Sequence, residues 1–345
     1  MSESLSYADS GVDIDATDNI KDSMKESVDS VDPRVLNTMG AFASLVEGRF
    51  EGYEHPILVL KTEEPGSKQK LAFQSGRVSS IAFDLINHLI NDIVVMGAAP
   101  VYVQDCIICG KIESETIKTL VKNMAKACGE QGCILTGGET SIQPGVVADG
   151  EYVLSAFGIG LVEKNRIIDG ARIEQDDIVL AVASNGLHTN GYTLIRKLLE
   201  INPGLKDKKV INETFFEMIM RPHKCYYNSV KDLFDHAGLK GLAHVTGGGI
   251  QDNLKRILPK SMDAVIKLEN LRIPEVFKVI RDEGNIADKE MLRTFNLGVG
   301  LIIVCSPETQ SEITSHLESN DCGCYKIGYI TNGTKKVRFE GSLNW

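Results

Sequence analysis

Leu242-Ala-His-Val-Thr-Gly-Gly-Gly-Ile250 is the stretch that decides the fold. Leu242 to Val245 is a short apolar strand, the glycines form a turn, and Ile250 to Leu258 has helical spacing. A glycine turn between a strand and a helix N-terminus is a βα unit whose backbone amides suit a phosphate. A tight turn with no ligand explains the same residues. Outward from this point the pattern recurs. Asp177–Ala183 reads as a strand, Ser184–Gly191 as a polar loop and Tyr192–Glu200 as a helix, with strands at Leu297–Cys305 and Tyr325–Ile330.

Before the hinge-like Ile167-Ile-Asp-Gly-Ala171 lies a second series. Pro56–Leu60 reads as a strand and Lys61–Lys68 as a loop. Val78–Met96 reads as a helix, Val101–Ile108 as a strand and Glu113–Cys128 as a helix. Cys133–Leu135 reads as a short strand ending in a loop, Thr136-Gly-Gly-Glu-Thr140, and Tyr152–Val162 as a strand. The expectation is an α/β fold of the α+β type: a flexible arm over 1–54, a first domain over 55–169 and a second over 170–345.

The 345 residues and 43% hydrophobic content suffice for two cores. A net charge of -10 disfavours nucleic acid and anionic membrane surfaces. The acidic start, with Glu3, Asp9, Asp13, Asp15 and Asp18, is unlike a secretory signal, and Asp84, His88 and Asp92 interrupt the longest apolar run. The expected location is the cytoplasm, where the eight cysteines stay reduced. Cys106 and Cys109, three apart on a strand, point to opposite faces and do not pair as metal ligands.

In the Val78–Met96 helix, Ile81, Leu85, Leu89 and Ile93 form an apolar stripe. Asp84, His88 and Asn91/Asp92 share the opposite face, and no Lys or Arg occurs between Arg77 and Lys111. A row of carboxylate, imidazole and amide suits Mg²⁺ with phosphate oxygens, and a solvated face is the plain alternative. Gly137 and Gly138 let backbone amides approach an anion, and Glu139 in their midst favours a Mg²⁺-polyphosphate. His188, in the 184–191 loop, has a side chain suited to proton transfer near neutrality; Thr189 or Asn190 is also a candidate helix cap. Lys68 is a candidate phosphate partner, although 61–68 is not a P-loop.

In order and spacing these segments resemble the aminoimidazole ribonucleotide synthetase family. The resemblance runs from Leu5-Ser-Tyr-Ala-Asp-Ser-Gly-Val-Asp-Ile-Asp15 through Asn91-Asp92, Val94-Val-Met-Gly-Ala98, Thr136-Gly-Gly-Glu-Thr140 and Pro144-Gly145. It continues in Val162-Glu-Lys164, Ile167-Ile-Asp-Gly170, His188-Thr-Asn-Gly-Tyr192 and Ala243-His-Val-Thr-Gly-Gly-Gly249, and ends in Arg293-Thr-Phe-Asn296, Gly298-Val-Gly300 and Lys326-Ile-Gly328. The resemblance implies a homodimer whose N-terminal sheets pair into a barrel, and a C-terminal α/β domain with a mixed sheet. It also implies ATP-dependent closure of formylglycinamidine ribonucleotide to aminoimidazole ribonucleotide, with the formamide oxygen activated by the γ-phosphoryl group. On that reading Lys25, Glu63, Ser67, Lys68, Asn91, Asp92, Gly137 and Gly138 face ATP. Asp92, Glu139 and Asp84 serve Mg²⁺. His188, Asn190, Thr246, Gly247, Gly248 and Gly249 hold the substrate, and His188, His244 and Lys68 are catalytic.

Departures from the family pattern cluster near the expected nucleotide site. Lys61-Thr-Glu-Glu-Pro-Gly-Ser-Lys68 replaces Gly-Thr-Asp-Gly-Val-Gly-Thr-Lys, so two glycines are lost and Glu63 stands for an aspartate. Ser141-Ile-Gln-Pro-Gly145 has Ile142 where the family has a carboxylate, and the arm near 36–43 has fewer glycines. These changes keep a second reading open, a nucleotide-binding paralogue with weak or no turnover. Selenophosphate synthetases and carbamoyl-transferring maturation enzymes fit less well: the first cysteine is Cys106, and the chain ends in Ser342-Leu-Asn-Trp345.

Overall fold

A computed structural model describes residues 32–37 and 42–345; Lys25 lies outside them. Two compact units form. The first comprises the described residues up to Ile90 together with Pro100–Leu161, and the second Asn91–Ala99 with Val162–Trp345.

The first unit contains β1 (Pro56–Glu63), α1 (Lys68–Gln74), α2 (Val78–Val94), β2 (Ala99–Cys109), α3 (Ser114–Glu130), β3 (Ile134–Ile142) and β4 (Tyr152–Glu163). Its four-stranded sheet has the order β1-β4-β2-β3. β2 and β3 run parallel from Tyr102↔Ile134 to Cys109↔Ile142, with one irregularity at Val103/Gln104. This corrects the reading of 136–140 as a loop. The ladder continues through Gly137, Gly138 and Glu139, because pairing with β2 satisfies their backbone groups better than a turn would. Likewise β1 runs on through Lys61–Glu63.

Helix α2 is not simply amphipathic. Ile81, Leu85, Leu89 and Ile93 are fully buried, and so are Asp84 and Asn91 on the other side. A buried polar group costs several kcal/mol unless it is bonded, on the order of 2–7. Both have partners: Lys68 for Asp84, and the 224–226 backbone for Asn91. The last turn, from Asn91, belongs to the second unit.

Part of the segment read as a flexible arm is packed. Val35, Val46, Phe50 and Tyr53 cover a cluster of Val101, Tyr102, Ile134 and Leu161. The Tyr102 hydroxyl donates to the Glu47 carbonyl (3.0 Å), and Ser44 Oγ to the Thr136 carbonyl (2.8 Å).

The second unit adds β5 (Ile178–Ala183), α4 (Tyr192–Ile201), the ribbon β6 (Lys209–Val210) and β7 (Glu213–Thr214), α5 (Phe215–Ile219) and α6 (Tyr227–Val230). Then come β8 (Leu239–His244), α7 (Gly249–Ile257), β9 (Met262–Lys267), α8 (Glu275–Gly284), α9 (Asp288–Thr294), β10 (Val299–Cys305), α10 (Gln310–Ser319), β11 (Cys324–Asn332) and β12 (Val337–Glu340). Its six-stranded sheet is ordered β12-β9-β11-β5-β10-β8. β12 pairs β9 in parallel and the other neighbours are antiparallel, so the sheet is mixed as expected. Residues 178–182 and 299–305 are wholly buried, which explains their unbroken apolar runs.

Gly300 in β10 is a position where no side chain fits. A Cβ there would lie 1.8 Å from the Tyr226 hydroxyl and 2.7 Å from His188 Cε1. No helix among the described residues is long and apolar enough to cross a membrane.

Candidate active site

Polar groups gather at one place in each unit. In the first, Lys68 opens α1 and its ammonium meets Asp84 Oδ1 at 2.8 Å, with both side chains at 0% exposure. Burial pulls the Lys68 ammonium below its ordinary value, against the opposing charge and hydrogen bond of Asp84. The ion pair gives Lys68 and Asp84 an internal contact beside the phosphate and metal roles expected of them. Glu63 is bracketed by Lys61 Nζ (3.0 Å) and His88 Nε2 (3.5 Å). Ser67 caps α1 by position but makes no side-chain cap bond.

Asp105, absent from the expected site, is the other notable group of this unit. It is buried on β2 opposite Gly138, one register step from Cys106↔Glu139. A Cβ on Gly138 would fall 2.3 Å from the Asp105 carbonyl oxygen and 2.4 Å from its Oδ1. The glycine therefore makes room for this aspartate. Burial first, and the nearby Glu139 charge in addition, push the Asp105 carboxyl up to about 7. Glu139 itself is exposed. Two neighbouring carboxylates, one reluctant to ionise, are a donor set for a hard dication. A lone aspartate in a strand reading Val-Gln-Asp-Cys gave no signal in the sequence.

The second unit holds a continuous polar chain. His244, last residue of β8, places Nδ1 2.8 Å from Asp92 Oδ1. His244 Nε2 is 3.0 Å from His223 Nε2, and His223 Nδ1 is 3.3 Å from Thr189 Oγ1. A carboxylate only accepts, so His244 carries its proton on Nδ1 and turns the Nε2 lone pair to His223. His223 then donates from Nε2 and accepts at Nδ1 from the Thr189 hydroxyl. The three bonds run in one direction, toward Asp92. His188 stacks on His223, with centroids 4.0 Å apart and planes at 21°. Its φ of 61° lies in the left-handed region, which costs a non-glycine residue on the order of 1–3 kcal/mol.

The 184–191 loop is held by the Arg293–Gly300 segment, whose motif carried no assigned role. Asn296 Nδ2 donates to the Gly186 carbonyl (2.9 Å), and Asn296 Oδ1 accepts from Ser184 Oγ (3.3 Å) and Gly298 N (2.9 Å). Asn190 reaches the glycine turn: a Cβ on Gly247 would be 3.5 Å from its Oδ1. The Asn190 amide nitrogen is buried with no hydrogen-bond partner among the described residues, which leaves a donor for a ligand. In the turn itself Gly248 (φ 88°) precedes α7, and Asn253 Nδ2 binds the carbonyls of Thr246, Gly247 and Gly249 at 3.3, 3.2 and 2.8 Å. The turn is less bare than the sequence implied. The exposed Asp252 carboxylate stands 2.5 Å from where a Cβ on Gly248 would lie.

Asn91 is a structural clip. Its Nδ2 donates to the Lys224 carbonyl (2.8 Å) and its Oδ1 accepts from Tyr226 N (2.9 Å). Both ends of the amide bind backbone, a contact additional to the nucleotide contact expected of it. His223 was missed because His-Lys-Cys-Tyr226 follows no periodic element; only the fold sets its ring between Thr189 and His244.

Known proteins agree with this architecture. The family described as AIR synthase related protein, N-terminal domain, matches residues 54–162, and its C-terminal counterpart matches 174–340. The chain belongs to the AIR synthase family. Among its relatives is a phosphoribosylformylglycinamidine cyclo-ligase from Nitrosospira multiformis, 40% identical over 327 residues, or 94% of this chain and 93% of that protein. Another of that name, from Carboxydothermus hydrogenoformans, is 39% identical over 339 residues, or 97% and 98%. Among solved structures, thiamine-monophosphate kinase from Stenotrophomonas maltophilia has the same fold at a TM-score of 0.67, 18% identity and coverage of 95% and 96%. Hydrogenase maturation protein HypE in complex with ATP shares it at 0.68, 17%, and 94% and 91%.

The Asp105 carboxyl makes stability fall with rising pH. In the unfolded chain it ionises near the ordinary value of about 3.9. In the fold it does so near 7. Its contribution is therefore full below about pH 4 and is lost as pH climbs toward 7. Asp105→Asn is expected to remove this slope, adding at most about 4 kcal/mol at pH 8 relative to pH 4. Urea unfolding of both proteins across that range, in metal-free buffer, measures it. Parallel curves would refute the assignment.

Proposed function

We propose that the chain catalyses ATP-dependent cyclisation of formylglycinamidine ribonucleotide to aminoimidazole ribonucleotide in purine biosynthesis, in the cytoplasm. The observation that carries this reading is identity of 39–40% along 94–97% of the chain with relatives named for that cyclisation. The γ-phosphoryl group of ATP passes to the formamide oxygen, the amidine nitrogen attacks the activated carbon, and phosphate leaves with that oxygen. Such chemistry depends chiefly on positioning and charge neutralisation.

Roles follow for each unit. Asp105 and Glu139 fit Mg²⁺, which when bound neutralises polyphosphate charge. Lys68 and Asp84 hold α1 against α2, and Glu63, Ser67 and the Gly137–Gly138 strand border the nucleotide. Lys25, on the arm, is assigned to the phosphates by resemblance alone. In the second unit the Thr246–Gly249 turn, at the N-terminus of α7, holds the ribose 5′-phosphate. Asn190 donates to the substrate and His188 orients it. The proton lost by the amidine enters at the Thr189 end and passes through His223 and His244 to Asp92. Asp92 thus acts through His244 in this reading, not as a metal ligand.

A homodimer is part of the proposal. Leu58 and Leu60 on β1 are 51% and 61% exposed, and Val153 on the neighbouring β4 is 44% exposed. An apolar sheet face of this kind suits a second copy, in keeping with paired N-terminal sheets. Sedimentation of wild type as a dimer and of the Leu58→Lys, Leu60→Lys double variant as a monomer is expected. A monomeric wild type contradicts it.

The burial of Lys68 against Asp84 favours the second reading, a nucleotide-binding paralogue, because it withdraws a cation from the phosphates. Release of ADP separates the two. Wild type is expected to release ADP only with formylglycinamidine ribonucleotide present, and Asp92→Asn to do so at least ~100-fold more slowly, with little change in KM for ATP. Binding of ATP with no substrate-dependent ADP selects the paralogue, and an Asp92→Asn variant of full activity removes the relay.

A further inference from the structure

We propose that His188, His223 and His244 form a binding site for a first-row transition-metal dication of the Zn²⁺ type, separate from any carboxylate-held Mg²⁺. One ring nitrogen from each lies within 4.8 Å of the others, and all three residues are buried. Three imidazoles without a carboxylate among the direct donors suit Zn²⁺, Co²⁺ or Ni²⁺, and are a poor set for Mg²⁺ or Ca²⁺.

Two of the donors are spaced close to what such an ion requires. The third, His188, which stacks on His223 with centroids 4.0 Å apart, turns out of the stack to bring a ring nitrogen to the ion. Two nitrogens bound at about 2.0–2.1 Å on a tetrahedral ion are about 3.3 Å apart. The Nε2 atoms of His223 and His244 are already 3.0 Å apart, so a few tenths of an ångström of opening admits the ion between them.

The outer partners are in place as well. The bond from His244 Nδ1 to Asp92 is the carboxylate–histidine arrangement that fixes a ligand's tautomer and raises its basicity. His223 Nδ1 faces the Thr189 hydroxyl, which accepts as readily as it donates. His223 therefore moves its proton from Nε2 to Nδ1 and presents its lone pair to the ion with no net proton loss. His188 supplies the third nitrogen from a strained backbone position, on a loop clamped by Asn296 and facing the space left by Gly300. Water or a substrate atom takes the fourth position.

A consequence rests on the proposed function. A bound ion occupies lone pairs of His188 and His244, so micromolar Zn²⁺ inhibits turnover. The binding test does not depend on that reading.

Full-length, chelator-treated protein without Mg²⁺ is titrated with Co²⁺. One equivalent is expected to bind with the visible d–d absorption of four-coordinate cobalt, and Zn²⁺ to displace it. His223→Gln is expected to weaken binding by more than about 100-fold, beyond the loss typical of a group that only hydrogen-bonds a metal ligand, while His316→Gln leaves it unchanged. Circular dichroism checks that both variants fold. Should His223→Gln fail to fold, imidazole ¹⁵N spectra of wild type decide, since Zn²⁺ must shift the resonances of His188, His223 and His244 together. Absence of tight Co²⁺ binding, binding that survives His223→Gln, or unmoved imidazole resonances would each overturn the proposal.

Discussion

The last turn of α2 anchors the polar chain of the second unit. Asn91 and Asp92 are adjacent but bind different things. Asn91 grips the backbone at Lys224 and Tyr226, while Asp92 takes His244 Nδ1. The first grip fixes the segment that carries His223. The second sets the tautomer of His244, and so the direction of every hydrogen bond out to Thr189. Loss of either grip leaves buried polar groups without partners, at roughly 1–3 kcal/mol each, and frees the rings from one another.

The first unit handles charge differently. Lys68 and Asp84 are a fully buried ion pair. Such a pair contributes little net stability, yet removing one partner costs on the order of 3–5 kcal/mol because the other charge stays behind. Asp105 answers burial by holding its proton up to about pH 7. Lys68 is thus matched within the protein, whereas Asp105 is arranged so that a dication would release its proton.

Much of the fold was legible. Strands buried on both faces, such as 178–182 and 299–305, read as apolar runs, and α3, α4 and α7 showed helical spacing. The 136–140 segment misled because glycines signal a turn, while here Gly138 lets two parallel strands pass a buried aspartate. The site was legible in part. His188, His244 and the 246–249 turn stood out by residue type and place. The clip that Asn91 makes was not legible, because local spacing cannot reveal a partner 133 residues away. Asp105 and His223 gave no signal, since their character comes from burial and from neighbours distant in the chain.

The tautomer of His244 tests this account most directly. Imidazole ¹⁵N spectra of the metal-free chain are predicted to show Nδ1 protonated and Nε2 as an acceptor from His223. A proton found on His244 Nε2, or one exchanging freely with bulk water, would contradict it.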